Sequence, residues 1–248
     1  MKKSFWNNGY FIFLCLLIAT DLVYIGLHLA HVYTPYLPRS LYSVEQDKGY
    51  AEFFEYTKEF WIIILLTLLF IKEATLTNFS WLVVFVYVLF DDSLQIHENF
   101  GALVSNALAF AAELGLRAQD WGELFVTGLM GILLLTPVAI GYMRADARAR
   151  THTIMLSLLL GMLVFFGVFV DMMHSFFDAN AVLGLIEDGG EMVSVSAILA
   201  YVYQHSFSTA AVPLTAPAPL ASQNSPSPES LNGLQPVMAS SSLPPNRM

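Results

Sequence analysis

The sequence predicts an all-α protein, a polytopic bundle of about six transmembrane helices followed by a disordered C-terminal tail. Of its 248 residues, 56% are hydrophobic and 12% are charged, whereas soluble domains are about half apolar and a quarter charged. Apolar runs such as 60–71 and 154–170 cannot be solvated, and a helix needs about 20 such residues to cross the hydrocarbon core. Beyond residue 208 the composition changes abruptly.

Six apolar stretches divide residues 1–208, the predicted transmembrane domain. We expect spans at residues 10–32, 60–77, 79–98, 122–143, 152–174 and 189–207. The third span reaches full length only if it includes Asp91 and Asp92, and the sixth is short, with Glu191 near its start. Residues 45–59 are predicted to form an acidic helix outside the membrane that leads into the second span. Residues 101–116 are predicted to form an interfacial helix or an extension of the third span.

The first span follows two lysines, as a signal peptide would. Its apolar stretch runs on to about Tyr33, longer than the apolar core of a signal peptide, and no clear cleavage site follows. We therefore expect a retained membrane anchor.

The segment 209–248 differs from the rest of the chain. It holds eight of the 11 prolines, many serines and alanines, no aromatic residue and two charges. Such a segment cannot bury enough apolar surface to fold, so disorder is predicted.

The basic residues predict the orientation in the membrane. One side carries Lys2, Lys3, Lys72, Arg144, Arg148, Arg150 and Arg247, and the other carries Arg39, Lys48, Lys58 and Arg117. The short 144–150 loop is decisive under the positive-inside rule. Both termini are therefore expected in the cytoplasm, with the protein in the inner (plasma) membrane.

Acidic residues lie mostly on the opposite, outward side. Sixteen of the 20 Asp and Glu residues, and four of the six His, fall on that face or in the adjacent half of the spans. The net charge of −9 argues against nucleic acid as a partner. The single cysteine, Cys15, excludes an intrachain disulfide. The lipid bilayer is the partner that the sequence indicates; it indicates neither a particular substrate nor an oligomeric state.

Ionisable residues recur within the spans on several different helices. They are Asp21 and His28 on the first span, Asp91, Asp92, His97 and Glu98 on the third, Asp171 and His174 on the fifth, and Glu191 on the sixth. An ionised carboxylate within a span costs at least about 2.5–3.5 kcal/mol. Several carboxylates at the same depth in the membrane must bind a metal, share protons or pair with cations. Cation pairing is disfavoured because the outer half contains few Lys or Arg.

The first functional hypothesis is a metal-dependent membrane enzyme, a hydrolase acting on a lipid or lipid-linked substrate. Carboxylates and imidazoles are ligands for Zn²⁺, Mn²⁺ or Fe²⁺. The expected metal ligands are His97, His174, Asp171 and Glu191, and the candidate catalytic bases toward metal-bound water are Glu98 and Asp92. Glu191 also completes the helix-capping pattern Asp-x-x-Glu that begins at residue 188, so both interpretations of it remain open.

Two other functions are consistent with the same residues. A cation or proton-coupled transporter would use Asp21 at mid-membrane and the same Asp/Glu/His cluster, since an ionisable residue at that depth is functional by default. His28 and Asp91 are further polar residues within the spans, with no assigned role. A non-catalytic scaffold would bind a partner or Ca²⁺ on its acidic outer face, which would leave the buried carboxylates unexplained.

Overall fold

A computed structural model describes residues 9–177 and 181–208, and the regular structure in these two ranges is helical. The helices are α1 (Gly9–Tyr33), α2 (Tyr50–Lys72), α3 (Leu76–Leu94), α4 (Ile96–Leu108), α5 (Ala118–Arg144), α6 (Ala147–Val164), α7 (Asp171–Phe176) and α8 (Ala181–Ser208). A 3-10 turn, Ser40–Tyr42, lies between α1 and α2, and a π-helical segment, Phe165–Val170, joins α6 to α7. The tail 209–248 lies outside the described residues.

Four helical stretches are long and apolar enough to cross a membrane. They are Gly9–Tyr33, Leu76–Leu94, Ala118–Arg144 and Ala147–Phe176. Large apolar side chains cover their outer surfaces: Leu16 is 62% exposed, and Ile132 is 71% exposed. The prediction of an all-helical architecture is confirmed for the described residues. An exposed apolar surface of this kind suits contact with lipid, so the four helices are consistent with a membrane protein.

The helix bounds differ from the expected segments in three places. The acidic segment 45–59 was expected to lead into the second span, and α2 begins at Tyr50 and continues through that segment to Lys72 without a break. Helix α8 begins at Ala181, eight residues before the expected sixth span. Helix α4 starts at Ile96 rather than at residue 101, because Gln95 adopts a left-handed conformation (φ 52°) and ends α3 there.

Helices α2 and α8 form the centre of the bundle. Helix α8 packs against α1, α2, α6 and the π segment, while α3 packs between α2 and α5. The apolar core comprises Leu17, Ile62, Leu66, Leu69, Trp81, Val84, Phe85, Val138, Leu156, Val195, Ile198, Leu199, Ala200 and Val202. Burying these side chains leaves the acidic N-terminal parts of α2 (Glu52, Glu55) and α8 (Asp188, Glu191) together at one end of the bundle, which we call the acidic end.

Close glycine contacts fix two helix crossings near the acidic end. An added Cβ at Gly122 of α5 would overlap the carbonyl oxygen of Gly101 on α4. An added Cβ at Gly190 of α8 would overlap the ring of Phe166 in the π segment. These contacts hold α4 on α5, and α8 on the π segment, at distances that a larger residue would not allow.

Candidate functional site

A buried ion pair joins three helices in the interior. The Lys58 ammonium on α2 donates to Asp21 Oδ1 on α1 at 3.0 Å, and both side chains are 0% exposed. Lys58 also donates to the Met192 carbonyl at 2.7 Å and to Ser196 Oγ at 3.2 Å. The Ser196 hydroxyl in turn donates to Asp21 Oδ2 at 2.6 Å. The charges are therefore compensated by each other and by α8, as a buried pair requires.

Four carboxyl groups lie next to this ion pair, toward the acidic end. They are Glu55 and Glu59 of α2, Asp92 of α3 and Glu191 of α8, and we call them the inner carboxyl cluster. Glu59 interacts electrostatically with Asp92, Glu55 and Glu191, and Glu55 interacts with Lys58 and Asp92. Glu59 is 0% exposed, and no N–H or O–H group of the described part of the chain donates to its carboxyl oxygens. Its carboxyl group instead lies within hydrogen-bonding reach of the Asp92 carboxyl group, so the two can bond only by sharing a proton.

The π segment places one member of the cluster. A Cβ added at Gly167 would overlap Glu191 Oε1, so this carboxyl group lies directly against the backbone of the segment. π-helical turns are rare and occur often at functional sites. Glu191 lies within α8 rather than in its first turn, so the capping interpretation of this residue was wrong.

A small cavity leads from the acidic end toward the cluster. Its volume is about 80 Å³. Six carboxylate residues belong to its lining: Glu45, Asp47, Glu52, Glu55, Asp188 and Glu191. We call this cavity the vestibule. Two of its carboxylates, Glu55 and Glu191, are also members of the inner carboxyl cluster, so the two features are continuous.

The predicted histidine ligands each pair with a carboxylate. His97 at the start of α4 bonds Asp91 Oδ2 through Nδ1 at 3.1 Å, and its backbone N–H donates to Asp91 Oδ1 at 2.9 Å. Burial acts to lower the pKa of His97, but the hydrogen bond and charge of Asp91 outweigh it and raise this pKa to about 9. His174 bonds Glu187 Oε2 through Nδ1 at 2.9 Å.

The predicted site residues fall into two groups. Asp171 interacts electrostatically with both His97 and His174, and Glu98 interacts with His97 and Asp171. Burial raises the pKa of Glu98 above its ordinary value. Asp92 and Glu191 belong instead to the inner carboxyl cluster. Within residues 9–177 and 181–208, no three His, Cys, Asp or Glu side chains are arranged to hold a metal ion.

His28 has a structural partner in the loop after α1. Its Nδ1 lies 3.1 Å from Ser43 Oγ and 3.3 Å from the Val44 backbone nitrogen. The side chain is 4% exposed. His28 therefore attaches the loop that carries vestibule residues to the end of α1.

Lys58 was not expected as a partner of Asp21, and Glu55 was expected to lie in an acidic helix outside the membrane. The structure buries Glu55, Lys58 and Glu59. A signal was present, because these positions continue the spacing of the buried residues Ile62 and Leu66 toward the helix start. Extending the apolar stripe of α2 backwards would have placed all three on the interior face.

Comparison with known proteins identifies a family. Residues 9–205 match a family described as a domain of unknown function, DUF8692. No curated protein and no solved structure matches the chain. The matched range contains the buried ion pair, the inner carboxyl cluster and both histidine–carboxylate pairs. The chain therefore belongs to the DUF8692 family.

Proposed function

We propose that this protein exchanges protons for cations at the inner carboxyl cluster, as a proton-coupled cation transporter of the membrane. The observation that carries the proposal is Glu59. Its carboxyl group is fully buried, its electrostatic neighbours include three other carboxyl groups, and the hydrogen-bonding partner within its reach is the Asp92 carboxyl group, which can bond to it only through a shared proton. A fully ionised cluster would be strongly repulsive in a medium of low dielectric constant. Protons or bound cations must therefore neutralise part of its charge.

In this proposal α2 and α8 also cross the membrane, which brings the number of spans to six. They contain 23 and 28 residues, or about 35 and 42 Å of helix, compared with about 30 Å of hydrocarbon. Buried residues of α2 include Glu55, Lys58 and Glu59. Neighbouring helices shield these charges from lipid, which is how intramembrane ionisable residues are tolerated. The positive-inside rule then places the acidic end outward and both termini in the cytoplasm.

The vestibule supplies the access route. Its carboxylates would concentrate cations at the outer surface, since a cleft lined by one sign of charge raises the local concentration of the opposite ion. Oxygen ligands of this kind suit hard cations such as Na⁺, Ca²⁺ or Mn²⁺. The shared residues Glu55 and Glu191 would pass a cation or proton from the vestibule to the cluster.

The ion pair would couple occupancy of the cluster to helix packing. Lys58 interacts with Glu55 as well as with Asp21. Adding a proton to Glu55 removes one of the negative charges that hold the Lys58 ammonium. The Lys58 ammonium contacts Asp21 of α1 and the Met192 carbonyl of α8. The strength of these contacts between helices would therefore change with the charge of the cluster.

Proton release tests the proposal. Purified protein in lightly buffered detergent, with a pH indicator, is mixed with Na⁺, Ca²⁺ or Mn²⁺. We expect at least one of these cations to displace protons from the wild type and from Glu113→Gln, a control at an exposed acid. We expect Glu59→Gln to lose most of that release. No release with any of the three cations, or equal release from Glu59→Gln, would overturn the proposal.

A second candidate is the metal-dependent hydrolase. The observation that favours it is Asp171, which interacts with both His97 and His174. The two histidines face different carboxylates, and the described side chains form no ready ligand set. Elemental analysis of protein grown with Zn, Mn and Fe tests this candidate. About one metal per chain, lost in the His97→Ala/His174→Ala variant, would support it, and a metal-free wild type would exclude it.

A further inference from the structure

A second cavity lies at the other end of the bundle and has no part in the proposed cation exchange. Its volume is about 350 Å³, within the range of sites for small molecules. It lies among the ends of α2, α3, α5, α6 and α8, and its lining includes Asn78, Arg144, Arg148, His152 and His205. We call it the basic-end cavity.

Two helix N-termini open onto this cavity. The first turn of α3 contributes Thr75, Leu76, Thr77 and Asn78 to the lining, and the first turn of α6 contributes Asp146, Arg148 and Ala149. The first turns of both helices have backbone N–H groups without a partner inside the helix, and the capping side chains accept from only some of these groups. Thr75 accepts from the Asn78 backbone N–H at 3.2 Å, and Asp146 accepts from the Ala149 N–H at 2.8 Å. The positive ends of two helix dipoles therefore face one space, an arrangement that attracts anions.

Cationic side chains line the same space. Arg144 and Arg148 are exposed at its rim, and the charge of Arg148 acts on both His152 and His205. The cavity also contains two acids. Asp146 is engaged as the cap of α6, and Glu73 interacts electrostatically with His205. Each guanidinium group at the rim carries several N–H donors in a planar fork, a shape that matches the oxygens of a phosphate group.

The inner wall contains an unsatisfied buried nitrogen. His152 is 3% exposed, its Nδ1 lies 3.0 Å from the Tyr201 hydroxyl, and its ring stacks on that of His205 at 3.8 Å. Its Nε2 is buried and has no hydrogen-bond partner in the described residues. Such an atom is costly to bury unless something bonds to it. His152 belongs to the lining of the cavity, so its ring forms part of the inner wall.

We propose that the basic-end cavity binds a phosphate group, either on the headgroup of an anionic lipid or on a soluble phosphate compound. Arginine pairs and helix N-termini are the groups that proteins use to hold phosphate oxygens. Basic pockets between transmembrane helices bind anionic headgroups in the same way. The volume exceeds what a single small ion requires, so the cavity has room for a phosphate group with further atoms attached to it.

The test uses the full chain in nanodiscs of phosphatidylcholine. Binding of inorganic phosphate is measured by calorimetry, and binding of phosphatidylglycerol by native mass spectrometry after mixed nanodiscs are formed. The test variant is Arg144→Gln/Arg148→Gln, in which both substituted positions are exposed, so the fold is expected to survive. The matched control is Arg150→Gln, because Arg150 contacts the Tyr142 ring and the Met143 carbonyl instead of lining the cavity.

We expect at least one probe to bind the wild type and Arg150→Gln equally. Binding to the double variant should be at least about tenfold weaker, since two charge-assisted contacts are lost. Retention of phosphatidylglycerol alone would identify a lipid headgroup, and competition by inorganic phosphate would identify a soluble ligand. Failure of both probes to bind, or equal loss in Arg150→Gln, would overturn the inference. Proton release at the acidic end is measured separately, so either proposal can fail alone.

Discussion

Replacing Lys58 by methionine should destabilise the protein more than most single substitutions, and a second substitution should reverse the effect. The Lys58 ammonium makes three polar contacts at 3.2 Å or less, to Asp21, the Met192 carbonyl and Ser196. Methionine fills a similar volume but donates nothing. Asp21 then retains only the Ser196 hydroxyl as a donor among these groups, in a position that is 0% exposed.

The expected magnitude follows from the burial of both charges. Removing one partner of a buried ion pair costs about 3–5 kcal/mol, because the other charge stays buried without compensation. For a chain of this size, that cost corresponds to a fall in Tm of roughly 6–20 °C. The double variant Asp21→Asn/Lys58→Met removes both charges, and the introduced amide would still accept a hydrogen bond from the Ser196 hydroxyl. Replacing a whole buried pair is often nearly neutral, so most of the lost stability should return.

Thermal unfolding in detergent, followed by circular dichroism, measures both effects. Lys58→Met should unfold well below the wild type, and the double variant should unfold close to it. A Lys58→Met protein as stable as the wild type would show that the ion pair is not formed in the folded protein. A double variant no more stable than Lys58→Met would show that the lost stability comes from packing rather than from an uncompensated Asp21 charge.

Two further predictions concern groups near the cluster. Gly167→Ala should lower the free energy of unfolding by about 1–3 kcal/mol through overpacking and reduce cation-induced proton release, because the added Cβ would displace Glu191. Gly161→Ala is the control: its added Cβ would have no neighbour within 4 Å, so stability and proton release should stay unchanged. Equal behaviour of the two variants would contradict the placement of Glu191. The pKa of His97 is raised above its ordinary value of 6.5 to about 9, so its pairing with Asp91 stabilises the fold fully below about pH 6.5, and that stability is lost as pH rises through about 9. Unfolding measured from pH 6 to 10 should show this loss, about 1.5–3 kcal/mol, in the wild type but not in Asp91→Asn, and identical pH profiles would refute it.

The fold could be predicted from the sequence to the extent that it depends on apolar length. Runs of apolar residues long enough to cross a bilayer have few alternatives to helix, and four of the expected spans correspond to helices that meet this criterion. The bounds of α2 and α8 were harder to predict, because acidic residues in the N-terminal parts of both helices interrupt the apolar pattern. Their starts at Tyr50 and Ala181 follow from tertiary packing, which a linear hydropathy pattern does not contain.

The candidate site was predictable only in its location. The sequence placed the acids at one end of the bundle, and the structure gathers many of them there. The pairing of Asp21 with Lys58 joins residues 37 positions apart, and no local spacing indicates it. The scarcity of Lys and Arg in the outer half argued against a cation partner, yet a single lysine on the inner face of α2 is enough to pair with Asp21. The π segment that places Glu191 has no sequence signal that was recognised.

The charge state of the inner carboxyl cluster is the central claim, and infrared difference spectroscopy tests it most directly. The protein is dialysed at neutral pH against N-methylglucamine, so that small inorganic cations are removed and protons alone can neutralise the cluster. The account predicts a carbonyl stretch from protonated carboxyl groups in the wild type and in Glu113→Gln, and a reduced band in Glu59→Gln. A wild-type spectrum without that band, or an equal band in Glu59→Gln, would contradict it.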